Sequence, residues 1–280
     1  ANEGGDPWQT RWLNVAGPLT STVQWTFETG GFTGGPVIDA AGTLYIAAKD
    51  GTVYALDDAG NVQWQTMAMP SPVGSPALAT DGTLYVADKN GLTALSAQGK
   101  LVWRFTPDDG KATTSGPVVG LDGAIYYKTL SSLWALAPDG TLRWQAAIPE
   151  SAVATPPRLS PDGQIVFWES FAFNVADGSP YAWDNVFMLD EPLRQVLVGA
   201  DAKLYHRYDV RLARVMPAGT AWESAMVFNG AQYNVSSGLD AGVTPDGRSW
   251  FASPIQFGLS FRWFAEDGTL DGLLKMVDAR

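Results

Sequence analysis

Six tryptophans recur at nearly constant spacing along the chain, and this regularity limits the fold more than any other feature. They stand at Trp25, Trp64, Trp103, Trp144, Trp183 and Trp222, so that 39, 39, 41, 39 and 39 residues separate successive members. A turn dipeptide recurs out of phase with them, most often as Asp-Gly, for example at 81–82, 122–123 and 162–163. Two independent marks with one period predict structural repeats of about forty residues.

The residues within one period are typical of short β-strands. In the segment 43–66, aromatic and β-branched residues alternate with small ones, and dipeptides that contain glycine divide it into pieces. Such dipeptides favour tight turns because glycine readily adopts a positive φ. The first repeat is therefore predicted to contain four antiparallel strands, over 35–40, 43–49, 52–57 and 62–66, with turns at 41–42, 50–51 and 59–60.

Four strands repeated at this period predict an all-β fold, a six-bladed β-propeller of four-stranded antiparallel blades. In a propeller each repeat is one blade, and neighbouring blades bury each other's faces. The chain is expected to be a single domain over 1–280. Its blades are predicted to begin near residues 35, 75, 116, 156, 194 and 241.

The two ends of the repeat array are out of step with each other. Trp25 precedes the first blade, whereas the last repeat has no tryptophan at the matching place. Residues 21–30 are therefore predicted to supply the outer strand of the last blade and close the ring, which hides its edges. Residues 1–20 would then be an N-terminal extension, and 270–280 a tail or short helix. The alternative is seven blades, with 270–280 as a fourth strand.

The repeated tryptophan and the Ala-Leu pair that precedes each turn have predicted packing roles. Ala-Leu occurs at 55–56, 94–95 and 135–136, in the third strand of three repeats. There a small residue lets the next blade approach, and leucine fills the space between the blades. The tryptophan is expected to pack between blades with its indole N–H on a backbone carbonyl, since a buried indole needs an acceptor.

The Ala-Leu pairs and the residues around them also form a pattern that resembles a known family. The pattern A-L-x-x-x-G-x-x-x-W, preceded by GTLYIA or DGTLYV, resembles the PQQ-like repeat in residues 34–150. The chain is similar to the BamB-like, non-catalytic branch of that family. The resemblance implies an exported protein, extracytoplasmic and of bacterial origin. It argues against PQQ as a cofactor, because the quinone-binding members have eight blades and typically a vicinal pair of cysteines.

Composition excludes several classes of function. The net charge of −11 and the pI near 4.4 argue against nucleic acid as a partner, because binding it requires many phosphates to be neutralised. The chain has no cysteine, so it has neither disulfides nor thiolate metal sites. Its apolar runs are far shorter than the roughly 20 residues that cross a bilayer, and no transmembrane segment is predicted.

Residues with catalytic chemistry are sparse. The single histidine, His206, cannot form a histidine-rich metal site, and no nucleophile elbow, zinc-binding helix motif or phosphate-binding loop occurs. Most aspartates accompany glycine or proline in turns, where they cap the backbone. The first strands leave Glu28, Asp39 and Arg158 as candidates for a site in the central channel. No catalytic, cofactor or metal site is therefore predicted, although calcium binding by a few carboxylates is chemically feasible.

The resulting hypothesis is a non-enzymatic scaffold or accessory subunit that binds a protein partner in an extracytoplasmic, membrane-associated complex. The alternative is a calcium-dependent hydrolase of the lactonase type, with its site in the channel. The predicted face lies in the irregular repeats around 165–235, where aromatic anchor residues could fill pockets of a partner. These candidates are Phe167, Trp168, Phe171, Tyr181, Tyr205, His206 and Tyr208.

Overall fold

A computed structural model describes residues 23–67, 71–152, 154–160, 162–169 and 171–181, and beyond residue 194 the backbone of the strands given below. Throughout these residues the secondary structure consists of strands, turns and bends, without an α-helix. In the same part of the chain, no helix is long and apolar enough to cross a membrane.

The first three repeats each form a four-stranded antiparallel sheet whose strands pair in chain order. Sheet 1 consists of β1 (Val37–Ile38), β2 (Leu44–Ala47), β3 (Thr52–Leu56) and β4 (Val62–Met67). Sheet 2 consists of β5 (Ala77–Leu78), β6 (Leu84–Asp88), β7 (Gly91–Leu95) and β8 (Leu101–Phe105). Sheet 3 consists of β9 (Val118–Val119), β10 (Ile125–Lys128), β11 (Ser132–Leu136) and β12 (Leu142–Ala147). The four-stranded repeat is confirmed.

Three further sheets follow in the same order. Sheet 4 comprises β13 (Arg158–Leu159), β14 (Ile165–Trp168) and β15 (Phe171–Asn174) within the described residues. Sheet 5 comprises β16 (Gln195–Val198), β17 (Leu204–Tyr208), β18 (Arg211–Ala218) and β19 (Ala221–Asn229). Sheet 6 comprises β20 (Asp240–Val243), β21 (Ser249–Ile255), β22 (Gly258–Phe264) and β23 (Leu270–Val277). The blade number of a closed ring stays a prediction.

The C-terminal segment corrects one expectation about the last repeat. Instead of a tail or short helix, Leu270–Val277 forms β23 and pairs with β22 along its length. Gly272 lies opposite Trp263 in this ladder, at the position that Trp64 takes opposite Ala55 in sheet 1. A strand forms through backbone pairing, so the missing tryptophan did not prevent one. The closing strand was predicted over residues 21–30, of which 23–30 are described and are not in a strand.

The chain divides into two compact units, and the sites discussed below lie mainly in the first. Unit 1 comprises Ala1–Pro157 and Val175–Ser179, and unit 2 comprises Arg158–Asn174 and Pro180–Arg280. The assignment of the whole chain to one domain stays a prediction.

The Ala-Leu pairs explain how the third strands of unit 1 meet their turns. The register shifts between Ala55 and Leu56 in sheet 1, and the same irregularity recurs between Ala94 and Leu95 and between Ala135 and Leu136. All six residues are fully buried. A shift at this point bends the strand and increases its twist just before the chain turns back.

Two apolar clusters pack the sheets of unit 1 together. The first interface joins sheets 1 and 2 and consists of Val37, Tyr45, Ala47, Val53, Ala55, Leu84, Val86 and Leu95. The second interface joins sheets 2 and 3 and consists of Ala77, Tyr85, Ala87, Leu92, Ala94, Ile125, Tyr127, Trp134 and Leu136. Because side chains alternate across a strand, each sheet supplies one face to each neighbour.

Candidate functional site

Each described repeat tryptophan reaches into the turn of the next repeat. The indole N–H donates a hydrogen bond of 2.8–2.9 Å to a backbone carbonyl 31 to 35 residues further along the chain. The four pairs are Trp25 with Asp58, Trp64 with Ala97, Trp103 with Pro138 and Trp144 with Val175. The repeated tryptophan therefore satisfies its polar atom in the neighbouring repeat, as a half-buried indole requires.

A glycine in the same turn makes room for each indole. A Cβ built on Gly60, Gly99, Gly140 or Gly178 would lie 2.5–2.7 Å from ring atoms of the docked tryptophan. These glycines also have φ between 71° and 86°, a conformation that residues with a Cβ rarely adopt. Gly60, Gly99 and Gly140 each stand four residues before a tryptophan, and each receives the tryptophan of the preceding repeat.

Three of the four docked indoles also contact a tyrosine of their own sheet. Ring centroids are 5.7–5.8 Å apart in the pairs Tyr45 and Trp64, Tyr85 and Trp103, and Tyr126 and Trp144. Such tilted aromatic pairs add to the stabilisation from burial. Each of these tyrosines directly follows the leucine or isoleucine that begins the second strand of its sheet. Their position in the repeat is therefore readable from the sequence.

Two of the six predicted docking tryptophans cannot be followed in the same detail. Trp183 lies outside the described residues. Trp222 lies in β19 opposite Pro217, and only its backbone is described. Trp25 docks like the others although its segment is not a strand.

The fourth strands of unit 1 carry exposed apolar side chains, which we call the outer-strand row. It consists of Val62, Leu101, Val102 and Leu142, of which Leu101 is 66% and Val102 57% exposed. Val62, Leu101 and Leu142 each stand two residues before a docking tryptophan. Each of β4, β8 and β12 is also the last strand in the order of its sheet.

Charges along these fourth strands have one sign. Arg104 lies in β8, Arg143 in β12, and Lys100 directly precedes β8, whereas β4, β8 and β12 contain no Asp or Glu. This is unusual in a chain with 29 acidic and 18 basic residues. The outer-strand row is therefore apolar, and both arginines of these strands pair with aspartates, Arg104 with Asp88 and Arg143 with Asp122.

The aromatic residues predicted to bind a partner do not form one exposed patch. Phe167 and Trp168 are each 1% exposed and belong to the core of unit 2, so they cannot serve as surface anchors. Phe171 stacks on Trp168 with ring centroids 6.0 Å apart. Tyr181 is partly buried, and its N–H donates to the carbonyl of Ala172. Tyr205, His206 and Tyr208 lie in β17, where only the backbone is described.

The three candidate channel residues differ in their hydrogen bonding and exposure. The carboxylate of Asp39 accepts hydrogen bonds from the backbone of Ala41 and Thr43 and from the Tyr45 hydroxyl. Burial acts to raise the pKa of Asp39, but these hydrogen bonds outweigh it and lower the pKa below its usual value. Glu28 is exposed, and Arg158 is buried in β13. The structure thus uses Asp39 as a turn cap.

The arrangement of the acidic side chains bears on metal binding. No group of three or more His, Asp or Glu side chains in that part of the chain could hold an ion together. That the chain binds no metal stays a prediction, with calcium binding as its alternative.

Buried polar groups at the ends of the two interfaces were not anticipated from the sequence. On the sheet 2 face of the first interface, Arg104 donates to both carboxylate oxygens of Asp88 at 2.8 and 3.0 Å and to Thr93 at 2.8 Å. At the second interface, the Thr129 hydroxyl donates to Asp109 at 2.5 Å. These contacts join strands and loops distant in sequence, so no local pattern reveals them.

Consecutive four-stranded antiparallel sheets, joined by an indole docked on the next turn, define a β-propeller of PQQ-like repeats. A family model described as outer membrane protein assembly factor BamB matches residues 2–185. The chain belongs to this BamB family. No curated protein matches the sequence significantly.

Solved structures of three other proteins share the fold. BamB from Moraxella catarrhalis is 15% identical, with a TM-score of 0.57 over 88% of this chain and 89% of that chain. Hydrazine synthase from Kuenenia stuttgartiensis is 13% identical, with a TM-score of 0.53 over 86% and 80%. The Cps50 (Swd1) β-propeller domain from Myceliophteria thermophila is 10% identical, with a TM-score of 0.62 over 89% of each chain.

Proposed function

We propose that this protein is a non-enzymatic scaffold that binds a protein partner in an extracytoplasmic, membrane-associated assembly. Membership of the BamB family supports the kind of role, because the family model describes an assembly factor of outer membrane proteins. The observation that carries a binding role in this chain is the outer-strand row, which exposes apolar side chains at matching positions of three consecutive sheets.

The geometry of the row suits a partner that contributes an extended segment. The outer edge of β8 is not paired within sheet 2, so its backbone groups can accept an additional strand. Leu101 and Val102 are neighbours on this strand and project to opposite faces, where they would contact alternate side chains of the added strand.

Charge favours a heterologous partner over a second copy of this chain. Lys100 is exposed directly before Leu101 and Val102, and two such edges facing each other would bring like charges together. A neutral or acidic segment with alternating apolar residues would instead complement the edge. Lys100 also acts against unselective edge pairing, which leaves specificity to the partner.

The test compares two substitutions of exposed leucines. Leu101→Ser removes an apolar side chain from the row, whereas Leu121→Ser removes one that is 59% exposed in the turn between β9 and β10. Each variant is isolated from source membranes in mild detergent, and co-purifying chains are quantified by mass spectrometry. We expect the partner to be lost from Leu101→Ser and retained by Leu121→Ser and the parent protein.

Two outcomes contradict the proposal. If no chain co-purifies in stoichiometric amount with the parent protein, the scaffold role is wrong. If the partner remains bound to Leu101→Ser as tightly as to the parent, the role stands but the outer-strand row is not its binding surface. The calcium-dependent hydrolase has no comparable support in the described residues, where Asp39 is occupied by its own turn.

A further inference from the structure

Residues 23–29, which we call the docked arm, match the fourth strands of unit 1 in sequence and in exposure. The arm and β4 both begin with Val-Gln-Trp. Exposed and partly buried side chains follow each other in residues 23–28 in the same order as in β4. Val23 stands two residues before Trp25 and is 81% exposed, as the members of the outer-strand row are exposed before their tryptophans.

Side-chain contacts hold the docked arm against sheet 1. The Trp25 indole N–H donates to the carbonyl of Asp58 at 2.8 Å, and a Cβ on Gly60 would lie 2.6 Å from the same ring. The Phe27 ring meets the Tyr54 ring edge-on, with centroids 5.1 Å apart. Sheet 1 therefore receives the arm as sheet 2 receives β4.

The backbone of the docked arm differs from that of the fourth strands. Every fourth strand of unit 1 pairs with the third strand of its own sheet, whereas residues 23–30 are not in a strand. The last sheet does not need the arm as an outer strand, because β23 already occupies the fourth place in it. The arm thus takes the place of an outer strand in front of sheet 1 without forming a ladder.

The register of sheets 1 to 3 specifies what kind of strand would fit beside the arm. In each sheet the docking tryptophan lies opposite the alanine of the Ala-Leu pair. Residues directly opposite in an antiparallel ladder have Cβ atoms only about 4.5–5.5 Å apart, so a small residue leaves room for the indole. A strand added to the arm therefore requires a small residue opposite Trp25.

The same register assigns a neighbour to Glu28, the one charged residue of the docked arm. Glu28 stands three residues after Trp25, as Met67 stands three residues after Trp64. Met67 lies opposite Thr52, which is three residues before the alanine. A lysine or arginine at that place in the added strand would form a cross-strand pair of opposite charges with Glu28.

A second copy of this chain is a poor source of such a strand. The third strands of unit 1 carry the small residue, but each already lies between two strands of its sheet. None of them has a cation three positions before the alanine, where they have Thr52, Gly91 and Ser132. The strand that fits the arm therefore belongs to another polypeptide.

We propose that the docked arm binds an extended segment of another protein by strand addition, with a small residue opposite Trp25 and a cation opposite Glu28. Docking on sheet 1 holds the arm in place before the segment arrives, which lowers the entropic cost of binding. This site is separate from the outer edge of β8, so its test is independent of the partner proposed for that edge.

A synthetic peptide is the probe for this site. It has the sequence of residues 51–57 with Thr52→Lys, and its control also has Ala55→Phe. Fluorescence anisotropy of each labelled peptide is measured against the full chain. We expect saturable binding of the first peptide and binding weaker by about tenfold or more for the control, because the larger ring overfills the space beside Trp25. Equal binding of the two peptides, or binding of neither, overturns the proposal.

Hydrogen exchange measured by mass spectrometry locates the bound peptide. We expect slower exchange of the amides of 23–29 and unchanged exchange in 101–105. Protection of 101–105 alone would place the peptide on the edge of β8, which rejects the docked arm and leaves the scaffold role intact. Protection of 23–29 as strong as that of 62–67 before peptide is added would show an arm that is already paired, and this also overturns the proposal.

A charge exchange tests the register. Glu28 is exposed and takes no part in the docking contacts, so Glu28→Lys should leave the fold intact. It should weaken binding of the lysine peptide by about two- to fivefold and strengthen binding of a peptide with Thr52→Glu by a similar factor. Asp108→Lys, in the exposed loop after β8, makes the same change in net charge. Equal effects of the two variants would mean that Glu28 does not face the cation and would refute the proposed register.

Discussion

The two interfaces of unit 1 are built from the same repeat, yet their polar ends differ. The first interface is lined mainly by small and branched aliphatic residues, and the ion pair of Asp88 and Arg104 lies on its sheet 2 face. The second is more aromatic, and the ring centroid of Phe105 lies 5.6 Å from that of Trp134 and 6.3 Å from that of Tyr127.

The difference shows which positions of the repeat are free to vary. Docking tryptophan, turn glycine and Ala-Leu recur at both interfaces, and they set how closely two sheets approach. At the end of the second strand, sheet 2 has Asp88 where sheet 3 has Thr129. Directly before the Ala-Leu pair, sheet 2 has Thr93 where sheet 3 has Trp134. These variable positions decide whether an interface is sealed by charge or filled by aromatic rings.

The largest loss of stability is expected when a buried ring is removed from the second, aromatic interface. Trp134→Ala should destabilise the protein by about 3–5 kcal/mol, because the side chain is fully buried and leaves a cavity. Tyr54→Ala changes the matching residue of sheet 1, which is only partly buried, and should cost less. Chemical denaturation of both variants measures the difference, and equal losses would mean that the second interface does not depend on its rings.

The next test concerns what the interfaces share. Gly99→Ala should cost about 2–4 kcal/mol, from the strain of φ 73° and from overlap with Trp64 at 2.5 Å. Gly42→Ala has φ 88° but no atom within 4 Å of the added Cβ, so it reports the strain alone. Gly140→Ala should match Gly99→Ala at the other interface. Thermal or chemical unfolding measures the loss of stability of each variant. If Gly42→Ala loses as much stability as Gly99→Ala and Gly140→Ala, the docking contact is disproved.

Removing one partner of the ion pair tests the charged end of the first interface. Arg104→Met should cost about 2–3 kcal/mol, because it leaves the fully buried Asp88 carboxylate uncompensated while the arginine itself is partly exposed. Arg143→Met breaks a pair with Asp122 in which both side chains are at least one-third exposed, and it should cost below about 1 kcal/mol. A double-mutant cycle with Asp88→Asn isolates the coupling, and a cost for Arg104→Met no larger than for Arg143→Met would refute this role.

The smallest effect should appear only at alkaline pH. Burial raises the pKa of Tyr85, a residue of the second interface, to about 12, and Asp81 adds to the rise. In the unfolded chain the pKa is about 10, so the folded state holds the proton more tightly above that value. Its stabilising contribution is complete below pH about 10 and is lost as the pH rises towards 12. Tyr85→Phe should therefore flatten the alkaline decline of stability measured by denaturation, and an unchanged slope would contradict the shift.

Regular features of the chain could be predicted from the sequence, whereas features that depend on distant partners could not. The strands and turns of the first three repeats follow from alternation, Asp-Gly dipeptides and the tryptophan period. Phe167 and Trp168 appeared as surface anchors because their segment is irregular, and only packing shows that they are core. Arg104 in β8 joins Thr93 in β7 and Asp88 in β6, 11 and 16 positions away, and Asp109 reaches Thr129 across 20 residues.

Docking between consecutive repeats also bears on how such a chain can lengthen or shorten. Every copied segment of about forty residues brings one indole that reaches forward and one glycine turn that receives the indole from behind. Inserting or deleting a whole segment inside the array therefore preserves the match between indoles and turns. A segment of any other length would leave an indole facing a turn without its glycine. Gene duplication in whole repeats is thus compatible with folding at every intermediate step.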